Sequence, residues 1–380
     1  MGPLEGIRIL ELGGIGPVPY AGLLLSDLGA DVIRIDRPRP GPLGGWSKPS
    51  HDVLARGRRR LSIDLKDARG RELVLQIAAT CDGLIEGFRP GVAERLGLGP
   101  EDCKQVNEKL VYGRMTGWGQ DGPLAQSVGH DVNYISLTGA LHAIGNKGQP
   151  PTIPLNVAGD FGGGSLFLAL GVVSALLEAQ RSGRGQVVDA AMVDGCSSLI
   201  AFMHGAIGSG FWVDDRESNM LDGAAHFYNV YETKDGKYVS IGAIEPQFYA
   251  EFLAVTGMAE EQLPDQHDKS AWPELRERFA VIFKRKTRKE WEVIMDGHDV
   301  CFAPVLCATE APGHPHNVAR ETFVEVDGVV QPGPAPRFER TTTEIQFGPQ
   351  PEGAHSDEIL SELGLAADEV AQLRENGIVG

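Results

Sequence analysis

Apolar positions fall into two alternating patterns along the first 115 residues. Short β-rich runs at Ile7–Leu12, Asp31–Ile35, Gly83–Glu86 and Leu110–Arg114 are separated by Pro17–Leu28, Arg71–Thr80 and Val92–Leu96, whose apolar residues recur at helical spacing. A further strand is predicted over Leu61–Leu65. Strands divided by helices predict a parallel sheet covered on both faces, an α/β fold. The stretch from Pro38 to Ser50, with prolines at 38, 40, 42 and 49, reads as a loop. A long helix is predicted from Asp160 to Arg181, stopped by Gly183 at a C-cap. A strand over Gln186–Ala190 and an apolar helix over 191–210 follow.

The pattern changes near Gly223. Phe227–Glu232 and Lys237–Ile241 flank Thr233-Lys234-Asp235-Gly236, a hairpin signal. Helices at 246–256, 274–284 and 287–296 and a strand at Cys301–Val305 complete what reads as a smaller α+β domain. The expected organisation is a large domain over 1–200, a linker over 201–222, a small domain over 223–310, and a return linker and C-terminal part over 311–380 that packs on the large domain.

Composition changes this picture little. With 380 residues, 42% hydrophobic and 23% charged, the chain suits a soluble two-domain protein. The longest apolar candidate, Ser165–Leu177, is short of the roughly 18 residues of a membrane span. The N-terminus reads directly into strand without a basic leader or apolar signal, so cytoplasm is the expected location. Five scattered cysteines without C-x-x-C spacing argue against a disulfide framework or a zinc site. A net charge of −17 disfavours nucleic acid and anionic membrane as partners. Residues 1–70 nevertheless carry eleven Lys/Arg against eight Asp/Glu, while the last thirty carry seven acids and one arginine. A basic N-terminal patch in an acidic chain points to an anionic small ligand or, more blandly, to a solvated face.

Gly14-Ile15-Gly16 after the first strand imitates a dinucleotide fingerprint, but Pro17 removes a needed N–H and Pro19 replaces the third glycine. Nicotinamide binding is therefore not expected. Arg37 ends the second strand, Arg56 and Arg58–Arg60 precede the expected third, and Arg89 follows the fourth. Arginines at the ends of neighbouring strands could hold separated phosphates, although at least two of the 58–60 run should be ordinary surface residues.

Two glycine-flanked segments carry the candidate proton chemistry. Gly129-His130-Asp131-Val132-Asn133-Tyr134 and Gly159-Asp160-Phe161-Gly162-Gly163-Gly164 each set an ionisable group where a helix is predicted to begin. Glu245, in Gly242-Ala243-Ile244-Glu245-Pro246, sits between a strand and a helix. Each acid has a plain alternative as a helix cap. Together, at glycine-flanked element ends, they are candidates for acid–base work.

The same residues carry a resemblance. Leu28–Arg37 (LGADVIRIDR), Glu86–Val92 (EGFRPGV), Gly117–Gln120 (GWGQ), Gly129–Tyr134, Gly159–Gly164 and Gly353–Leu360 (GAHSDEIL) resemble the class III CoA-transferase family. The His-Asp pair and Gly242–Phe248 resemble its racemase branch, the α-methylacyl-CoA racemases. The resemblance implies an interlocked homodimer whose chains each have a Rossmann-like large domain and a small domain, with the active site between one subunit's large domain and the other's small domain. It implies His130, partnered by Glu245, as one base and Asp160 as the other, with the Asp131 backbone N–H receiving a thioester oxygen. Arg37, Arg56, Ser62, Ile63, Asp64, Leu65 and Arg89 would hold CoA, beside Gly129, Asn133 and Tyr134. It implies no metal and no cofactor, CoA being part of a 2-methylacyl-CoA substrate. The alternative within the family is CoA transfer through Asp131 as nucleophile.

Overall fold

The computed structural model describes residues 2–38 and 48–380, so most of the loop expected between Pro38 and Ser50 lies outside the described residues. The chain forms two compact units. One comprises Met1–Thr138, Leu155–Leu199 and Ala319–Gly380, and the other Gly139–Pro154 and Ile200–Val318. The segment expected as a linker, 201–222, therefore belongs to the second unit, together with 139–154.

The first unit is built on six parallel strands: β1 (Arg8–Leu12), β2 (Asp31–Asp36), β3 (Arg58–Ser62), β4 (Gly83–Glu86), β5 (Val111–Thr116) and β6 (Val187–Ala191). Their order is β3-β2-β1-β4-β5-β6, the doubly wound arrangement whose direction of winding reverses between β1 and β4. The near-continuous apolar strands follow from burial on both faces. Alternate residues feed opposite cores. Leu10, Ile33, Leu84 and Tyr112 pack with Leu73 and Ile77 of the helix Ala68–Ala78, and with Ile359, Leu360 and Leu373 near the C-terminus. Ile9, Val32, Ile85 and Val111 pack with Val18 and Leu25 of the helix Pro17–Asp27 and with Leu168 and Val172 of the helix Leu166–Ser182. Each such side chain contributes about 1.5–3 kcal/mol on burial.

The third strand begins three residues earlier than its apolar pattern suggested, because Arg58, Arg59 and Arg60 lie within it. Arg58 Nε and Arg34 Nη1 share the fully buried Glu11, at 3.2 and 3.1 Å, and Arg60 Nε meets Asp36 at 2.6 Å. Arg59 meets Asp31, Glu358 and Glu362, and Arg8 also reaches Glu362. Arg8 and Arg59 of the basic N-terminal part thus pair with Glu358 and Glu362 of the acidic C-terminal stretch within the first unit.

The predicted helix from Asp160 extends further, over Val157–Ser182, and Gly183 caps it at φ 75°. Its 26 residues are long and apolar enough to cross a membrane by length and composition, where the sequence suggested too short a run. It packs against β5, β6 and the helix Pro17–Asp27, as a sheet-covering helix does.

In the second unit, β7 (Tyr228–Glu232), β8 (Tyr238–Gly242) and β9 (Phe302–Val305) form an antiparallel sheet covered by the helices Pro246–Thr256, Trp272–Phe283 and Arg288–Met295. Its core is aromatic, with Phe227, Tyr231, Phe252, Phe279, Phe283 and Trp291. The fully buried His226 sits among these rings, its Nε2 2.8 Å from Tyr249 Oη. A final hairpin of the first unit, β10 (Phe323–Val326) and β11 (Val329–Pro332), was not anticipated.

Candidate active site

Open α/β sheets take ligands in the crevice at the carboxyl ends of the strands where the winding reverses. Here that position lies beyond β1 and β4. Gly13–Gly16 leave β1 and lead into the helix starting at Pro17, while Gly87-Phe88-Arg89 leave β4. Glu86 fixes the second loop: its Oε2 accepts the Phe88 N–H at 2.5 Å and its Oε1 accepts from Arg114 Nε at 3.1 Å. Burial pushes Glu86 up to about 7 in spite of both bonds. Arg89 stands exposed at this loop, and Arg37 is exposed at the end of β2.

The Gly-His-Asp segment follows β5. His130 adopts extended backbone as the N-cap of the helix Asp131–Ser136, and its N–H donates to Asn133 Oδ1 at 3.0 Å. Tyr134 locks the turn by donating its hydroxyl to the Gly129 carbonyl and by meeting Trp118 edge-on at 4.8 Å. A Cβ at Gly117 would lie 2.0 Å from the Tyr134 ring. The glycine of the Gly117-Trp118 motif is therefore required by packing one element away from the histidine it supports.

The Gly-Asp-Phe-Gly segment is not the helix cap expected from sequence. Val157–Ser165 is wound as a π-helix preceded by Asn156, and Asp160 lies inside it. Such wide turns are rare and concentrate at functional sites. Asp160 Oδ2 accepts from Asn156 Nδ2 at 3.2 Å and lies 3.2 Å from where a Cβ of Gly16 would stand. The carboxylate thus occupies the space beside the turn that imitated a dinucleotide fingerprint. Gly16, at φ 72°, tolerates it through a backbone conformation that other residues avoid. Ser165 Oγ lies 2.7 Å from the Pro17 carbonyl and 2.9 Å from the Asp160 carbonyl, which share its one proton.

Asp131 joins the two segments. Its Oδ1 accepts the Asp160 backbone N–H at 2.7 Å, and its Oδ2 is buried without a hydrogen-bond partner. Burial raises the Asp160 pKa; Asp131 adds to the rise, while Asn156 and His130 oppose it. Burial, Asp160 and Arg89 all act on Tyr134, whose pKa is raised. His130, Asp131, Tyr134, Asp160 and Arg89 thus share one electrostatic neighbourhood. Gly16, Asn156 and Gly117 belong to it as well. Their only sequence signal was proximity to glycine motifs read for other reasons.

Other expected residues stand elsewhere. Arg56 is buried: its guanidinium is 2% exposed, meets Asp27 at 2.5 Å, and donates to Gln331 Oε1 and the Pro332 carbonyl. A buried aspartate and the last hairpin thus hold this arginine in place. Ser62 and Ile63 are buried, with Ile63 in the core. The backbone of this segment pairs with the C-terminal residues, Asp64 N–H to the Ile378 carbonyl at 2.9 Å and Gly380 N–H to the Ser62 carbonyl at 3.0 Å. Asp64 and Leu65 remain half-buried. Glu245 lies in the second unit, exposed at the N-cap of Pro246–Thr256, and its side chain makes no capping bond.

The family model for CoA-transferase family III matches residues 4–356. The chain belongs to CoA-transferase family III. Among family members it is 44% identical to alpha-methylacyl-CoA racemase of Mus musculus, over 99% of this chain and 97% of that protein. It is 41% identical to alpha-methylacyl-CoA racemase of Homo sapiens over the same shares. A solved CAIB/BAIF family protein from Brucella suis superposes with a TM-score of 0.81 at 25% identity, covering 95% of this chain and 99% of that one. The expected resemblance and the parallel α/β architecture both hold.

Proposed function

We propose that this family III protein racemises 2-methylacyl-CoA thioesters by a two-base, cofactor-independent proton transfer. The observation that carries the reading is the single neighbourhood holding His130 and Asp160, tied through the 2.7 Å bond from the Asp160 amide to Asp131. Near-full-length identity to two racemases supports the same activity.

A hydrogen α to a thioester is weakly acidic, and its removal leaves an enolate whose charge lies on the thioester oxygen. In this reading the Asp131 backbone N–H, opening a short helix, donates to that oxygen, a contribution of about 3 kcal/mol per donor. One base takes the proton from one face of the α-carbon and the conjugate acid of the other returns a proton to the opposite face. Imidazole titrates in the required range. Burial makes Asp160 a stronger base than an exposed carboxylate. Exposed Arg37 and Arg89 supply the positive charge for the CoA phosphates. Glu245, contributed by a second copy of the chain, would orient His130. Exposed Leu166, Leu170 and Leu177, on one face of a long helix, suit burial in such a homodimer.

Transfer through Asp131 is less favoured. Asp131 is only 9% exposed, and the oxygen left free to attack, Oδ2, is the buried one, since Oδ1 holds the Asp160 amide. Incubating one epimer of a 2-methylacyl-CoA in deuterated water decides between the two. Label at the α-carbon with loss of configuration is expected, and Asp160→Asn and His130→Ala should each abolish it. CoA moving to an added carboxylate without exchange would overturn the racemase reading.

A further inference from the structure

We propose that the Asp131 side chain is a positioning residue for Asp160, clamping its backbone and setting a second carboxylate beside it. The inference rests on the two-base reading and assigns the side chain a task separate from that of the Asp131 backbone N–H.

Three observations converge. Asp131 Oδ1 accepts the Asp160 N–H at 2.7 Å, the tightest polar link between the two segments. The space for this bond exists because residue 159 is glycine; a Cβ there would stand 2.1 Å from Asp131 Oδ1. The other oxygen, Oδ2, is buried with no partner at all. A buried, half-satisfied carboxylate is costly, and a purely structural clamp for an amide could use a neutral acceptor. A carboxylate placed there suits a task an amide could not perform: keeping Asp160 basic in a site where Asn156 and His130 pull the other way.

Among the described residues, several groups stand around Asp160. On its own helix stands Asn156, and the helix Asp131–Ser136 and its cap contribute His130, Asp131 and Tyr134. Cys196 of the helix Met192–Leu199, its thiol pushed up to about 11 mainly by burial, stays neutral throughout the working range. Tyr20, whose ring lies 4.7 Å from Phe161, approaches from the helix Pro17–Asp27. Arg89 acts on Tyr134. Among these, Asp131 is the anion next to Asp160.

Asp131→Asn separates the two parts of the task, because its amide oxygen still accepts the Asp160 N–H while the charge is gone. In the pH profile of α-deuterium exchange, the limb that reports Asp160 should move down by about one pH unit, with a lower plateau kcat and an unchanged KM. Asp131→Ala removes the acceptor too and should lose roughly a hundredfold in kcat. The Asp160 carboxyl is also followed without substrate by 13C NMR of aspartate-labelled protein, assigned with Asp160→Asn. Its titration midpoint should fall in Asp131→Asn. An unmoved midpoint, or a limb at the wild-type pH, overturns the proposal. Should Asp131→Asn not fold, Asp131→Ser retains a hydroxyl acceptor and is read by the same two measurements. A wild-type protein without exchange sinks the racemase reading, whereas the Asp131–Asp160 coupling stands or falls on the NMR midpoint.

Discussion

Gly159→Ala tests the geometry of the site through one methyl group. The added Cβ would stand 2.1 Å from Asp131 Oδ1, so the carboxylate must withdraw by roughly 1 Å to reach ordinary contact. Asp131 is short and buried at the start of a helix, and the oxygen that must withdraw is the one that accepts the Asp160 N–H. Leaving that amide unpaired costs about 1–3 kcal/mol, and the overpacking adds a similar amount. The total is about 2–6 kcal/mol, and each kcal/mol lowers Tm by about 2–4 °C. Because the residue displaced carries the Asp160 backbone, exchange at the α-carbon should fall by roughly a hundredfold, more than the stability loss alone explains. Calorimetry together with deuterium exchange at saturating 2-methylacyl-CoA reads both effects. Gly313→Ala is the control, since nothing lies within 4 Å of its added Cβ and its φ is ordinary. A Gly159→Ala protein with wild-type Tm and exchange rate would refute the close approach of Asp131 to the π-helix.

Other perturbations separate structure from binding. Arg56→Ala should destabilise by about 3–5 kcal/mol in chemical denaturation, because it strands the buried Asp27. Arg89→Ala should leave stability unchanged and raise KM for the CoA thioester by roughly tenfold, as expected for loss of a charged contact; equal stability of the two variants would reverse this assignment. His226 offers a pH test. Burial lowers its pKa from 6.5 to about 4, so the folded protein binds fewer protons there than the unfolded chain. Its stabilising contribution is complete above pH 6.5 and is lost as pH falls toward 4, up to about 3 kcal/mol. Denaturant unfolding at pH 7.5 and 5.0 measures it, and His226→Phe should flatten the difference; an unchanged slope would show that another group carries it.

Much of the fold is local and therefore legible in sequence. Runs such as Asp31–Ile35 and Gly83–Glu86 are apolar on both sides because both faces of a parallel sheet are covered, and helical spacing between them leaves only an α/β answer. Gly183 at φ 75° and the Thr233–Gly236 turn depend on neighbours in the chain alone. Sequence also supplied His130 and Asp160 as candidates, since their glycine neighbours mark special backbone. It misplaced β3 and gave no sign of the buried ion pairs of Arg56, Arg58 and Arg60, because an arginine's partner decides its surroundings and the partners here, Asp27, Glu11 and Asp36, lie 24 to 47 residues away. The tertiary structure alone could decide that Asp160 lies within a π-turn rather than capping a helix. It alone could show that Gly117 is fixed by the Tyr134 ring and that Gly159 leaves space for Asp131. Periodicity records which face of an element is buried, whereas a site depends on atoms from distant segments meeting within 3 Å, and that distance is set only when the layers close.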